Sequence, residues 1–236
     1  MLMGRRYRQD PLHSEPPTQV RLRDLKKTQA PGDRYPRITT KLMDVASRYQ
    51  QQQWTSREIY TESVFGTLLI THQLGSGYPP FKRSHQYGLS AWKKLLIYCV
   101  LRDQHWFLVA VFILDQRLLV LQLDPVTPDL DESTTHILQR IKWATSKGRL
   151  LYAGDSWQQE LVLNVCTQVP QQDNACGLIV LQYHLNLGTM MDKRPDLLYG
   201  PQDTLLAYLV AEVIPTLRTV NRGTTANYYH RLRGGR

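Results

Sequence analysis

Three apolar runs, residues 95–101, 106–114 and 117–123, follow one another almost without interruption, and they constrain the fold more than any other feature of the chain. Each is short and rich in Val, Ile, Leu or aromatic residues, the composition of a β-strand. Asp115-Gln116 separates the second from the third, which predicts a tight hairpin there. Residues 160–166 read as a further strand. The segments around these strands follow a helical period instead. Residues 41–53 place Leu42, Val45 and Ala46 on one face, and Thr55-Ser56-Arg57-Glu58 has the spacing of a capping box, which predicts a helix over 56–65. Gly75, Gly77, Pro79 and Pro80 then mark a loop. Residues 131–146 carry Ile137, Leu138 and Ile141 at helical spacing, residues 178–187 form an apolar run long enough for a buried helix, and 205–217 is amphipathic with a bend or break at Pro215. Helices segregated around a small mixed or antiparallel sheet, without regular βαβ alternation, give an α+β class.

The chain has 236 residues, of which 42% are hydrophobic, enough for a substantial core. No apolar run approaches the roughly 18 residues of a bilayer-spanning helix, and Met1-Leu-Met-Gly-Arg-Arg-Tyr7 lacks the apolar stretch of a secretory signal. The expectation is a protein of the nucleus or cytoplasm with no membrane contact. Three cysteines, Cys99, Cys166 and Cys176, form no Cys-x-x-Cys pair, which argues against a disulfide framework or a cysteine-rich zinc site. His13, His72, His85, His136, His184 and His230 show no partner spacing for a metal. The net charge of +9 is unevenly spread. Residues 1–49 hold 11 Lys/Arg against 5 Asp/Glu and residues 216–236 hold 5 against none, so the stretch between them is close to neutral. We divide the chain into a basic, Pro-rich, disordered segment (1–38), one folded domain (39–217) and a basic flexible tail (218–236). Such arms favour non-specific contact with nucleic acid or simply keep the protein dispersed.

The chemistry concentrates in Val169-Pro-Gln-Gln-Asp-Asn-Ala-Cys-Gly-Leu178. Cys176 follows a polar loop and opens an apolar helix, so unpaired backbone N–H groups and the positive end of the helix dipole lie beside its sulfur and favour the thiolate. Cys99 and Cys166 lie inside apolar strands and read as inert packing. A thiolate nucleophile wants a general base and a group that fixes the base's tautomer. His105 stands at the entrance of one strand and Asp124 closes the next, which sets them side by side at one sheet edge. Asp129 and Asp155 do not end the strand next to His105 and are the weaker choices.

With His105-Trp106, the strand end Leu123-Asp124 and Pro170-Gln-Gln…Cys176-Gly177 in view, residues 50–215 resemble the ubiquitin-like-specific proteases, the sentrin/SUMO-type deconjugating enzymes of the same clan as the adenovirus endopeptidase. The resemblance implies a papain-like-clan fold with the nucleophile at a helix N-terminus, and a catalytic domain over 39–217. It also implies a Cys176-His105-Asp124 triad that cleaves after Gly-Gly in SUMO, NEDD8 or ubiquitin-like modifiers without metal or organic cofactor. Trp54 is similar to the Trp that opens the family's catalytic domain and, with Trp106 and Gln171, is assigned to substrate binding. Here the loop before the nucleophile is two residues shorter than the family's usual one, and Ala175 replaces an Asp. Counted from the proline, Gln172 is the oxyanion-hole glutamine; counted from the cysteine, Gln171 reaches equally well.

Two other readings belong beside this one: an adenovirus-type endopeptidase acting on a Gly-Gly precursor, and an inactive module that only binds a modifier. The chain also ends in Leu232-Arg-Gly-Gly-Arg236, a match to the Leu-x-Gly-Gly pattern, and this is either a processing site or an ordinary Gly/Arg-rich tail.

Overall fold

The computed structural model describes residues 37–72, 93–114, 117–146, 159–166 and 175–220. The segment 1–36, the Gly75–Pro80 loop, the Asp115-Gln116 turn, Asp155, Gln171, Gln172 and the tail from residue 221 lie outside the described residues.

The elements run α1 (Thr40–Gln51), β1 (Ile59–Thr61), α2 (Val64–His72), β2 (Leu95–Arg102), β3 (His105–Leu114), β4 (Arg117–Asp124), α3 (Glu132–Ser146), β5 (Gln159–Cys166) and α4 (Cys176–Lys193). A 3-10 turn at Pro195–Leu198 leads to α5 (Gln202–Tyr208), a π-turn (Leu209–Val213) and α6 (Ile214–Arg218). The fold is α+β, with a five-stranded mixed sheet in the order β1-β2-β3-β4-β5. The outer pairs are parallel and the two inner pairs antiparallel. Leu114 pairs with Arg117, which leaves two residues for the β3–β4 turn.

The central strands are apolar on both faces because both faces are covered. One face presents Leu95, Ile97, Cys99, Leu108, Ala110 and Phe112, with Leu119 and Leu121 beside them, and packs with α1 and α4. The other presents Leu96, Tyr98, Phe107, Val109, Val111 and Val120 to α3, through Ile137, Leu138 and Ile141. Continuous apolar runs are what such a double-sided burial requires.

Three local expectations need correction. The Thr55–Glu58 box starts no helix. Thr55 and Ser56 donate their backbone N–H groups to Asp192 Oδ1 at the far end of α4, at 2.8 and 2.6 Å, and residues 59–61 join the sheet as β1 beside β2. The helix begins at Val64, where Asp44 Oδ1 accepts from the Val64 amide (2.6 Å) and Ser63 Oγ accepts from the Gly66 amide (2.9 Å), satisfying donors the helix leaves open. In α1 the buried face is Leu42, Met43 and Ala46 rather than one including Val45, and Thr39 caps it through Oγ1. At Pro215 the helix is not cut: the ladder widens to a π-turn just before it, since proline has no N–H to offer the preceding turn.

Candidate active site

Antiparallel register brings the first two candidate groups together. Leu108 pairs with Leu123, so continuing by one residue sets Asp124 opposite Phe107, with His105 its diagonal neighbour of the same parity. Diagonal neighbours on one face are within reach of long side chains. His105 Nε2 donates to Asp124 Oδ1 at 2.9 Å. Asp124 is buried, 1% exposed, and its Oδ1 also accepts from the amides of Val126 (2.7 Å) and Thr127 (3.0 Å) in the loop that follows β4. Three donors on one oxygen compensate the removal of this carboxylate from water.

Cys176 arrives from α4. It is the first residue of an 18-residue helix whose N-cap, Ala175, has no side chain to satisfy the first-turn amides, and no acidic residue stands in that turn. The positive end of the helix dipole and the first-turn donors are therefore at the end of the helix where Cys176 stands. Gly177 allows the helix to seat closely: a Cβ there would lie 2.5 Å from Ile38 Cβ and 3.2 Å from Trp106 Cδ1. The Cys176 side chain is half-buried and near enough to His105 to contribute to the electrostatics of its imidazole. With Nε2 given to Asp124, Nδ1 is the ring nitrogen left for the sulfur. Burial pulls the His105 imidazolium toward deprotonation, but the hydrogen bonds to Asp124 and Cys176 and the charges of both outweigh it, and His105 is pushed up from 6.5 to about 9.

The other cysteines differ. Cys99 is fully buried in β2 and burial pushes its thiol up to about 12, while Cys166 is half-buried at the end of β5, paired with Asp124. Asp129 is exposed, and the carboxylate on His105 is that of Asp124.

Trp106 and Trp54 have different fates. Trp106 is 3% exposed, donates its indole N–H to Ile38 O (2.9 Å) and lies against Gly177, forming the floor beneath the first turn of α4. Trp54 is not beside this site. Its ring rests on Gly188, where a Cβ would collide with Cζ2, and its centroid is 5.0 Å from that of the His184 ring. Gly188 lies twelve residues beyond Cys176, about 18 Å along the helix, so the assignment of Trp54 to substrate binding is replaced by packing of α4. His184 itself is a core group: Nδ1–H donates to Gln50 Oε1 (2.5 Å), Nε2 accepts from Thr61 Oγ1 (2.8 Å), and burial holds its pKa down at about 3.

Two features of the site escape the sequence reading. Arg102, paired with His105 across the β2–β3 hairpin, reaches Asp131 at 3.1 Å and Glu132 at 3.5 Å. Gln122, the polar residue inside the otherwise apolar stretch 118–123, is fully buried two positions before Asp124. A lone amide in that stretch is the available signal. Among the described residues, no group of three or more His, Cys, Asp or Glu is placed to hold a metal ion, and no helix is long and apolar enough to cross a membrane.

No family model matches the chain and no curated protein matches it in sequence. Solved structures do match in shape. A de-sumoylating protease aligns over 90% of this chain and 83% of its own, with a TM-score of 0.63 at 16% identity. The C-terminal Ulp1 protease domain, solved in complex with Smt3, the yeast ortholog of SUMO, aligns over 90% and 82% with a TM-score of 0.56 at 11% identity. The catalytic domain of the Ulp1-like SUMO protease of Chaetomium thermophilum aligns over 84% and 71% with a TM-score of 0.53 at 11% identity. The sheet, its flanking helices and the helix that opens at Cys176 therefore constitute the fold of the Ulp1-like, ubiquitin-like-specific proteases.

Proposed function

We propose that the protein is a cysteine protease that cleaves after Gly-Gly to release or mature a ubiquitin-like modifier of the SUMO, NEDD8 or ubiquitin kind. The observation that carries this reading is His105 hydrogen-bonded to a buried carboxylate and raised in pKa by that carboxylate together with Cys176, the first residue of a helix. Cys176 is the nucleophile. Its thiolate attacks the scissile carbonyl, and the backbone N–H of Cys176 and the side-chain amide of Gln172, or of Gln171, receive the oxyanion, a contribution of about 3 kcal/mol per donor. His105, held as imidazolium, gives its proton to the leaving amine as the C–N bond breaks and the thioester forms. It then takes a proton from water, whose oxygen displaces the sulfur and frees the carboxylate product. Asp124 keeps the imidazole oriented and stabilises its charged form. Trp106 lines the floor of the Gly-Gly channel.

Support for the substrate class comes from the Ulp1 neighbour, which is held by Smt3. In this reading residues 39–217 are the catalytic domain of a nuclear or cytoplasmic enzyme, and the basic arms 1–38 and 218–236 add non-specific contact with nucleic acid. Labelling with a Gly-Gly electrophile on the C-terminus of SUMO, NEDD8 or ubiquitin tests it. The expected result is one adduct, located at Cys176 by peptide mass spectrometry and absent from Cys176→Ala. Absence of any adduct with all three modifiers and with short Gly-Gly peptides refutes it.

A further inference from the structure

Asp124 can serve His105 only while the loop 125–131 stays folded against it, because that loop supplies the Val126 and Thr127 amides on Asp124 Oδ1. A buried side chain, Gln122, ties the far end of this loop to β4. Gln122 lies on β4 two residues before Asp124 and therefore on the same face of the sheet. It is 0% exposed, and each of its four hydrogen-bonding positions is used. Nε2 donates to Asp129 O at 2.8 Å and to Asn164 Oδ1 at 3.4 Å. Oε1 accepts from the Asp131 amide at 3.0 Å and from Thr134 Oγ1 at 2.6 Å. Asn164, on β5, holds the same loop from the other side by donating to Pro128 O. Asp131 then caps α3 through Ser133 (2.8 Å) and pairs with Arg102, the register partner of His105.

We propose that Gln122 is a positioning residue of the active site: its buried amide fastens the loop 125–131 so that two loop amides hold the Asp124 carboxylate against His105. The inference rests on the protease reading for its catalytic consequence, but its geometric content stands apart from turnover. An apolar residue at 122 would fill the space and complete the apolar strand, yet it would leave the Asp131 amide and the Asp129 carbonyl without their buried partner. The loop would then relax, and a displacement of about 1 Å at a catalytic group costs on the order of 100-fold in rate.

The test uses the full chain with Gln122→Met, which keeps the length of the side chain and removes its bonds. A second variant, Asn164→Ala, removes the outer tie to Pro128 and the long 3.4 Å bond from Gln122, leaves the bonds of Gln122 to Asp129, Asp131 and Thr134 in place, and keeps the measurement in a folded protein. The readout is the titration of the His105 imidazole by carbon-13 NMR, followed by kcat and KM on a Gly-Gly amide substrate. The expected midpoint in Gln122→Met falls from about 9 toward 6.5, with a smaller fall in Asn164→Ala, and kcat drops roughly 10- to 100-fold at nearly unchanged KM. In an Asp124→Ala background, Gln122→Met moves the titration no further. Folded variants whose His105 titrates as in the parent overturn the proposal, as does a Gln122 effect that persists without Asp124. The titration shift is read without catalysis, so a parent that never turns over defeats the protease reading while this test remains decisive.

Discussion

Acid should unseat α4, the helix that carries Cys176, and the responsible group is His184. It sits fully buried between Gln50 of α1, Thr61 of β1 and the ring of Trp54, and so joins α4 to two other elements. Nδ1–H donates and Nε2 accepts, an arrangement that only the neutral imidazole can make. Burial places its pKa at about 3, against the ordinary 6.5 that the unfolded chain regains. Below pH 6.5 the unfolded state binds a proton that the folded state refuses, so stability falls with falling pH throughout the window from 6.5 to about 3. Integrated from pH 7 to pH 5, this one group costs about 2 kcal/mol. That is a large part of the roughly 5–15 kcal/mol available to a domain. Burial also raises the Glu62 carboxyl, which acts in the opposite sense, since protonating it in acid favours the folded state. The assay is therefore comparative: urea unfolding of the parent and of His184→Gln at pH 7, 6 and 5. Glu62 and all other groups act equally in both chains, and the difference between them should shrink by about 2 kcal/mol over that range. Parallel pH dependences in the two proteins would refute the assignment of His184 as a buried neutral group.

Asp124→Asn should bring the alkaline limb of kcat/KM down from near pH 9, because the imidazolium then keeps its burial penalty and loses its carboxylate; an unmoved limb refutes the ion-pair reading. Gly177→Ala should destabilise the fold by about 1–3 kcal/mol and slow alkylation of Cys176, since the added methyl drives the first turn of α4 off Ile38 and Trp106; thermal unfolding and iodoacetamide kinetics read the two effects. Gly188→Ala should lower the melting temperature at least as much, through collision with Trp54, while folded molecules keep the parent's alkylation rate; slowed alkylation would place Trp54 in the site after all.

The parts of this fold that are legible in the sequence are those set by local pattern. Continuous apolar runs mark β2, β3 and β4, and the two-residue break before Arg117 fixes the pairing of the last two, which in turn puts His105 and Asp124 on one face. Cys176 can be placed because a polar loop followed by apolar residues is what a helix start looks like. The misreadings occur where a distant residue takes over a local signal. Asp192, at the end of α4, claims the amides of Thr55 and Ser56, so a motif with capping-box spacing becomes a tether to another helix. β1 has only three residues, too short for an alternation to show, and it exists because β2 offers it an edge. Trp54 is read by its likeness to a family position, whereas its partner, Gly188, stands 134 residues away and only the folded chain shows the absence of a Cβ there to be necessary.

The electrostatic design of the site follows from where backbone amides are left unpaired by secondary structure. In the proposed reaction a buried aspartate, an imidazolium and a thiolate would together carry one net negative charge, which a two-sided apolar sheet would reject if side-chain pairing were the only compensation. Amides at both ends of the array supply the rest. Val126 and Thr127 donate to Asp124 where β4 has stopped and its loop begins, and α4 opens at Cys176 after an alanine that offers no capping group. His105 lies between the two, and its interactions with Asp124 and Cys176 outweigh the burial that would otherwise deprotonate it. In the proposed reaction the charge of the sulfur passes to the carbonyl oxygen as the tetrahedral intermediate forms, and the helix terminus beside Cys176 is positioned to favour that oxyanion until it collapses to the thioester. The charge would thus shift to an oxygen two bonds from the sulfur, within a field built from strand ends and a helix start rather than from added charged residues.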